Sequence, residues 1–251
     1  MFVRLLRSIF PVVALLIIGC ASLPDPGHGT AAVDPADDID GNAWAAQSSV
    51  PTASPGGPGP RWQHYRLPGK QATNFAYSRK DGRHSMAVMA QSSASMLRQK
   101  VHIAPAALSH VQFSWWVPEL IAQADMALRD ADDAPVRIVL AFDGDRSKFS
   151  AKNAMLSELS HAITGEPLPY ATLMYVWCIT RAPGTVIINP RTDRIRKLVV
   201  ESGSAKLNQW LDYQRDIRAD FERAFGEAPG ALVGIGIMTD TDNTQSHARA
   251  W

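Results

Sequence analysis

The run Asp240-Thr241-Asp242-Asn243-Thr244 is the sharpest local cluster of oxygen ligands in the chain. Two carboxylates and an amide, one or two residues apart, can wrap a hard cation such as calcium. An EF-hand loop is excluded, because its sixth position needs Gly and its twelfth Glu, and here they hold Gln245 and Trp251. The same residues also make a tight turn, with Asp and Asn side chains bonding to nearby backbone, and the turn is the favoured reading. Asp240, Asp242 and Asn243 are therefore the candidate metal ligands, for a structural calcium ion. No other cofactor is expected.

Other carboxylates come in pairs. Asp143-Gly144-Asp145 follows an apolar strand, and a glycosidase needs only two well-placed carboxyl groups. Asp-Gly is also an ordinary turn signal, so the pair reads first as a turn. Asp132-Asp133 precedes Pro135 and Arg137 and reads as an ion pair or cap at the start of a strand. A second chemistry rests on aromatics. Trp115, Trp116, Tyr175, Trp177 and Trp210 could stack on sugar rings if they line an open face. Successive strand residues point to opposite faces, so Trp115 and Trp116 diverge. Trp116, beside Gln112 and Ser114, is the expected exposed aromatic, with Tyr175 and Trp177 as further candidate ligand contacts.

Several reactive classes find no support. Histidines 28, 64, 84, 102, 110, 161 and 247 show no zinc-ligand spacing. Ser202-Gly203-Ser204 lacks the frame of a nucleophile elbow, and no glycine-rich phosphate loop is present. Cys178 lies in an apolar run, where a thiol is usually inert. No catalytic residue is assigned.

The elements that would position these residues are mostly short strands. Leu97, Val101 and Ile103 alternate with polar residues, as do Val111, Phe113, Trp115 and Val117. Residues 136–142 and 171–177 are more uniformly apolar, as central strands are, and 185–188, 195–201 and 232–238 add three more. Gly234 and Gly236 share a strand face, so something is expected to pack close there. Two helices are expected. Ser150 caps one whose apolar stripe holds Met155, Leu156, Leu159, Ala162 and Ile163, with Gly165 and Pro167 as its stop. The other runs from about 208 to 225, with Trp210, Tyr213, Ile217, Phe221 and Ala224 on a face packed against a sheet, and Gly226 after its end. Many strands and few helices predict a mainly β fold: a β-sandwich or jelly roll with one or two packed helices.

The N-terminus reports location. Arg4 and Arg7 precede a short apolar run ending Leu16-Ile17-Ile18-Gly19-Cys20, the layout of a secretory signal peptide. Residues 8–19 include Pro11 and fall short of the roughly 20 apolar residues that span a bilayer. A cysteine directly after the cut resembles the lipobox of bacterial lipoproteins, which implies a lipidated Cys20. Cys178 then has no disulfide partner, since the chain has only these two cysteines. Ala21, in place of an Asp, points to the outer membrane, with the periplasmic side expected. Residues 21–60 carry five Asp and no Lys, Arg or Glu, with Pro51, Pro55, Pro58 and Pro60 near the end. That composition predicts a disordered tether, with a span of about 30–40 Å. Residues 61–251 hold 23 Lys and Arg against 19 Asp and Glu, too even a balance to suggest nucleic acid as a partner.

Several blocks then form an ordered series: residues 132–138 (DDAPVRI), 170–177 (YATLMYVW), 199–203 (VVESG), Ala224-Phe225-Gly226-Glu227, 236–243 (GIMTDTDN) and Ala248-Arg249-Ala250-Trp251. Over about residues 110–251 this series resembles the bacterial domain of unknown function family 3047. The resemblance implies a secreted or lipid-anchored protein, and a galactose-binding-like jelly roll from the strand content. It implies no reaction, since the family has no assigned activity. Family members usually continue past the last Trp with a tyrosine and an acidic strand end, so a sequence stopping at Trp251 is expected either to have a short last strand or to be truncated. Cys178 stands where a polar residue is expected. Together these features suggest a lipid-anchored envelope protein with a single β-sandwich domain over 61–251. Its expected role is a non-catalytic binding module for a glycan or another envelope ligand. A glycoside hydrolase using the aspartate pairs, and a structural lipoprotein that binds envelope proteins, are the alternatives.

Overall fold

The computed structural model describes residues 62–251; the expected signal peptide, the expected lipidation at Cys20 and the expected tether all fall outside the described residues. Twelve strands and two α-helices are described. The strands are β1 (Gln63–Arg66), β2 (Asn74–Lys80), β3 (Arg83–Gln91), β4 (Ala94–Ile103), β5 (His110–Trp116), β6 (Ala134–Phe142), β7 (Ala171–Cys178), β8 (Val186–Ile188), β9 (Ile195–Ser202), β10 (Trp210–Asp216), β11 (Leu232–Asp240) and β12 (His247–Ala250). Helix α1 is Ala151–Thr164 and helix α2 is Ile217–Phe225. Among the described residues no helix is long and apolar enough to cross a membrane.

Seven strands form one sheet in the order β1-β4-β11-β6-β7-β9-β8. All its pairings are antiparallel except β7 with β9. The second layer is built from β10-β5 and β12-β3-β2. Its two parts join where Trp116 and Trp251 exchange backbone hydrogen bonds of 2.9 and 3.0 Å. The result is a two-layer β-sandwich with two helices, the mainly β class expected from the strand pattern. The last strand, β12, has four residues.

The central strands are apolar on both faces because both faces are covered. In β6, Leu140 and Phe142 join Leu173 and Tyr175 of β7 beneath α2, where Ile217, Phe221 and Ala224 complete the core. On the opposite face Val139, Met174, Val176, Cys178 and Val199 pack with Met126 from the segment before β6. Cys178 is thus a small core hydrophobe. At Gly236 an added Cβ would meet the Leu97 carbonyl at 3.1 Å and Met96 Sδ at 3.5 Å, so the close neighbour is the adjacent strand β4.

Two expectations about helices need correction. Residues 210–216 are a strand paired along its length with β5, and only 217–225 are helical. Trp210, Tyr213 and Ile217 satisfy a helical spacing, but Leu211, Tyr213 and Arg215 also alternate with exposed Asp212, Gln214 and Asp216. Pairing with β5 decides in favour of the strand, and Asp216 then caps α2 by accepting from the Ala219 N–H at 3.0 Å. Helix α1 begins at the expected Ser150 cap and ends at Gly165 in the left-handed region. Its apolar stripe, however, faces outward: Met155, Leu159 and Ile163 are 63, 53 and 59% exposed, while Asn153 and Ser157 are buried. Hydrogen bonds hold the polar side inward, with Asn153 donating to Asp193 at 2.7 Å and accepting from Thr192 at 2.8 Å.

Candidate functional site

A cavity lies between the layers, beside the Arg83–Ala87 half of β3 and β5; among the described residues β12 pairs with β3 from Val88 to Gln91. The gap is about 350 Å3, within the size range of small-molecule sites. Its floor is Ile138 and Leu140 of β6 with Ile235 and Ile237 of β11; Met86 and Phe113 stand at the sides. No carboxylate is among the lining residues.

The mouth is polar and is bridged. Arg83 of β3 donates to both oxygens of Asp212 on β10, at 2.6 and 3.2 Å, and Ser114 adds a bond to Asp212 at 2.5 Å. The Arg83 guanidinium also lies 5.2 Å from the centre of the Trp210 ring. These hydrogen bonds hold the Asp212 carboxyl below its ordinary range, Arg83 being the largest cause. The pair is solvent-exposed, so it costs little to open.

A second cluster lies at the start of β6, where β11 runs antiparallel to it, and shares Arg137 with the lining of the cavity. Asp132 is 2% exposed and accepts from Lys197 at 2.7 Å, Arg137 at 3.0 Å and Asn189 at 3.1 Å. Lys197 is fully buried and its ammonium also donates to the Met126 carbonyl at 2.8 Å. Burial pushes the Lys197 amine down to about 8, with the nearby Arg137 charge adding to the shift and Asp132 opposing it. Asp133 accepts from the Asn243 and Thr244 backbone N–H groups at 3.2 and 2.8 Å, and from their side chains at 2.8 and 2.6 Å. It thereby clamps the turn after β11. Asp240 is 7% exposed, and its Oδ2 lies 3.3 Å from Arg137. Its Oδ1 is buried without a hydrogen-bond donor. Burial pushes the Asp240 carboxyl above the usual carboxylate range, against the pull of Arg137, and the Asp242 carboxyl beside it pushes the same way. Carboxylate oxygens of Asp133, Asp240 and Asp242 lie within 4.8 Å of one another.

The structure therefore brings Asp240 and Asp242 together as the sequence suggested. It adds Asp133 as the third carboxylate, while Asn243 turns its amide N–H groups onto Asp133 and the Asp132 carbonyl. Asp133 was legible only as a neighbour of Asp132; nothing in the local spacing ties it to residue 244. Asp143 and Asp145 stand apart from both sites. They are exposed, and each bonds to the turn around it: Asp143 to the Gly144 N–H at 2.8 Å, Asp145 to Ser147 at 3.0 and 2.6 Å.

The expected ligand-contact aromatics are corrected. Tyr175 and Trp177 are 0 and 1% exposed, buried beneath Phe113 and Trp115, which lie 5.5 and 6.2 Å away between ring centres. Tyr175 donates to Asp220 at 2.9 Å and Trp177 to the Gly203 carbonyl at 2.9 Å, so even their polar tips are spent internally. Trp116 is 8% exposed: Trp251 packs edge-on against it and the Lys80 ammonium sits 4.0 Å from its ring centre. Covering comes from Trp251, far away in sequence, which is why alternation alone mislabels Trp116 as exposed.

A family model described as "Protein of unknown function (DUF3047)" matches residues 60–251, which take in every described residue and more than the 110–251 carried by the sequence blocks. The chain belongs to that family. No curated protein matches it. Among solved structures, the chain is similar to the xyloglucanase domain of NopAA, a type three effector from Sinorhizobium fredii, in complex with cellobiose. Identity is 8%, the TM-score is 0.37, and the match covers 75% of this chain and 88% of that one.

Proposed function

We propose that this DUF3047 domain is a non-catalytic binding module that takes an amphipathic envelope ligand into the cavity between its layers. The observation that carries this reading is an apolar cavity with a polar mouth and no carboxylate in its lining. Water in such a space is readily displaced by an acyl or prenyl chain, and burying about 350 Å3 of ligand needs no new charge pairing. The ligand's polar group would then sit at Arg83, Ser114 and Trp210. A glycan is a weaker fit, because sugar hydroxyls need hydrogen-bond partners that the floor does not offer. Hydrolysis finds less support, because none of Asp143, Asp145, Asp240 and Asp242 is among the residues lining the cavity. A lipid on Cys20 and a periplasm-facing position at the outer membrane complete the proposal; loss of radiolabelled palmitate incorporation in Cys20→Ser tests the lipid, retained label contradicting it, and membrane fractionation with protease protection in intact cells tests the position.

Titration of the full chain with a pyrenyl fatty acid, and separately with soluble peptidoglycan fragments, tests the ligand class. Saturable binding of the fatty acid that is lost in Ile237→Trp, which fills the floor, is the expected result. Binding that does not saturate, or that survives Ile237→Trp, would remove the cavity as the site. Saturable binding of peptidoglycan fragments alone would reinstate a glycan ligand.

A further inference from the structure

We propose that Asp133, Asp240 and Asp242 form a calcium site in which the Lys70 ammonium holds the ion's place when no ion is bound. Three carboxylate oxygens from β11, the turn after it and the start of β6 converge within 4.8 Å. Independently of that clustering, Asp240 Oδ1 is buried and has no donor. An orphaned buried acceptor costs free energy until a proton or a cation satisfies it. It is also the atom that a bound ion would claim first.

The distribution of charge points to a cation. Asp132 is matched by Lys197 and Arg137 and is not part of the site. Asp133 receives only neutral donors, from Asn243 and Thr244, and keeps its negative charge. Asp240 shares Arg137 with Asp132 at a longer 3.3 Å. Asp242 is paired with Lys70, whose side chain is 34% exposed on the loop between β1 and β2. Lys70 is thus the one cation at the cluster, among the described residues, whose long stem can swing into water without breaking a buried pair. Its departure would free the Asp242 carboxylate and leave an all-oxygen donor set. Calcium suits that set better than magnesium, because it accepts six to eight oxygens in irregular geometry, whereas magnesium demands a near-ideal octahedron. Water and the second oxygens of the three carboxylates would complete its shell.

The rival is a proton shared by Asp240 and Asp242, which satisfies the same orphan oxygen without any metal. Calcium titration calorimetry and thermal melting of the full chain, in chelator and in millimolar calcium or magnesium, separate the two. The site predicts a melting temperature that rises in calcium. It also predicts that Lys70→Gln binds calcium up to about fivefold more tightly, the factor that corresponds to removing one exposed competing ion pair. Asp242→Asn is expected to abolish the response; should it fail to fold, Lys70→Gln alone decides. A melting temperature and titration heat indifferent to calcium in both the parent and Lys70→Gln would overturn the site in favour of the shared proton. Calcium binding that weakens in Lys70→Gln would overturn the role given to Lys70. Equal responses to magnesium and calcium would overturn the choice of ion.

Discussion

Strand β6 carries two aspartates at each end, and the two ends could hardly differ more. Asp132 and Asp133, before it, are 2 and 1% exposed and hold a network that reaches β9, β11 and the turn at 243–244. Asp143 and Asp145, after it, are exposed and bond only to their own turn among the described residues. The residue type is the same, so the difference lies in what the strand's neighbours bring. At the first end, two buried cations, Arg137 and Lys197, must be neutralised because water does not reach them. At the second, water does the work.

The largest effect is therefore expected from Asp132→Ala. It leaves Lys197 and Arg137 short of a counter-charge in the interior and should cost about 3–5 kcal/mol in urea unfolding. A loss no larger than that of an exposed aspartate would break the contrast between the two ends. Asp133→Asn should cost less, about 1.5–3 kcal/mol, since it weakens charge-assisted bonds to the turn but leaves no buried cation unpaired. Its signature is local: faster amide exchange at Asn243 and Thr244 than in the parent.

A smaller effect belongs to an ion pair outside both ends. Glu166, before β7, is held down to about 2 by hydrogen bonds from Arg98 and Lys100 of β4, against an ordinary value of 4.5. A depressed carboxylate contributes stability that is fully present above its unfolded value and disappears as pH falls through the folded one. Urea midpoints should thus decline between about pH 4.5 and 2, and Glu166→Gln should flatten that part of the decline. An unchanged acid limb would show the bonds to be solvated away. The smallest effect is expected from Asp145→Ala, whose melting temperature should match the parent's; a clear drop would show that the exposed end of β6 also carries structural charge.

What was legible in the sequence follows the same division. Strands β6 and β7, buried on both faces, announce themselves as largely apolar runs, and β4, β5 and β11 as alternations. Strands β1, β2 and β12 are short or polar at the sheet edges, and no local signal marks them. Strand β10 was misread because the segment fits two periods at once, with Trp210, Tyr213 and Ile217 at helical spacing and Leu211, Tyr213 and Arg215 alternating, and only pairing with β5 chooses between them. Helix α1 was legible from its cap and stop, but not its orientation, which the bonds from Asn153 to Thr192 and Asp193 decide. At the acidic cluster, the Asp240–Asp242 spacing was visible, and so was Arg137 in an apolar strand beside Asp132. Lys197 within the run 195–201 was an equally good signal of a buried pair. The cavity had none, since β3, β5, β6 and β11 contribute residues separated by long stretches of chain.

Native mass spectrometry of the full-length protein, extracted gently from envelopes, tests the central claim most directly. A single small amphiphile bound at one per chain, and absent from Ile237→Trp prepared in the same way, is the predicted result. Bare protein mass in the parent, or an adduct that persists in Ile237→Trp, would contradict a ligand site between the layers.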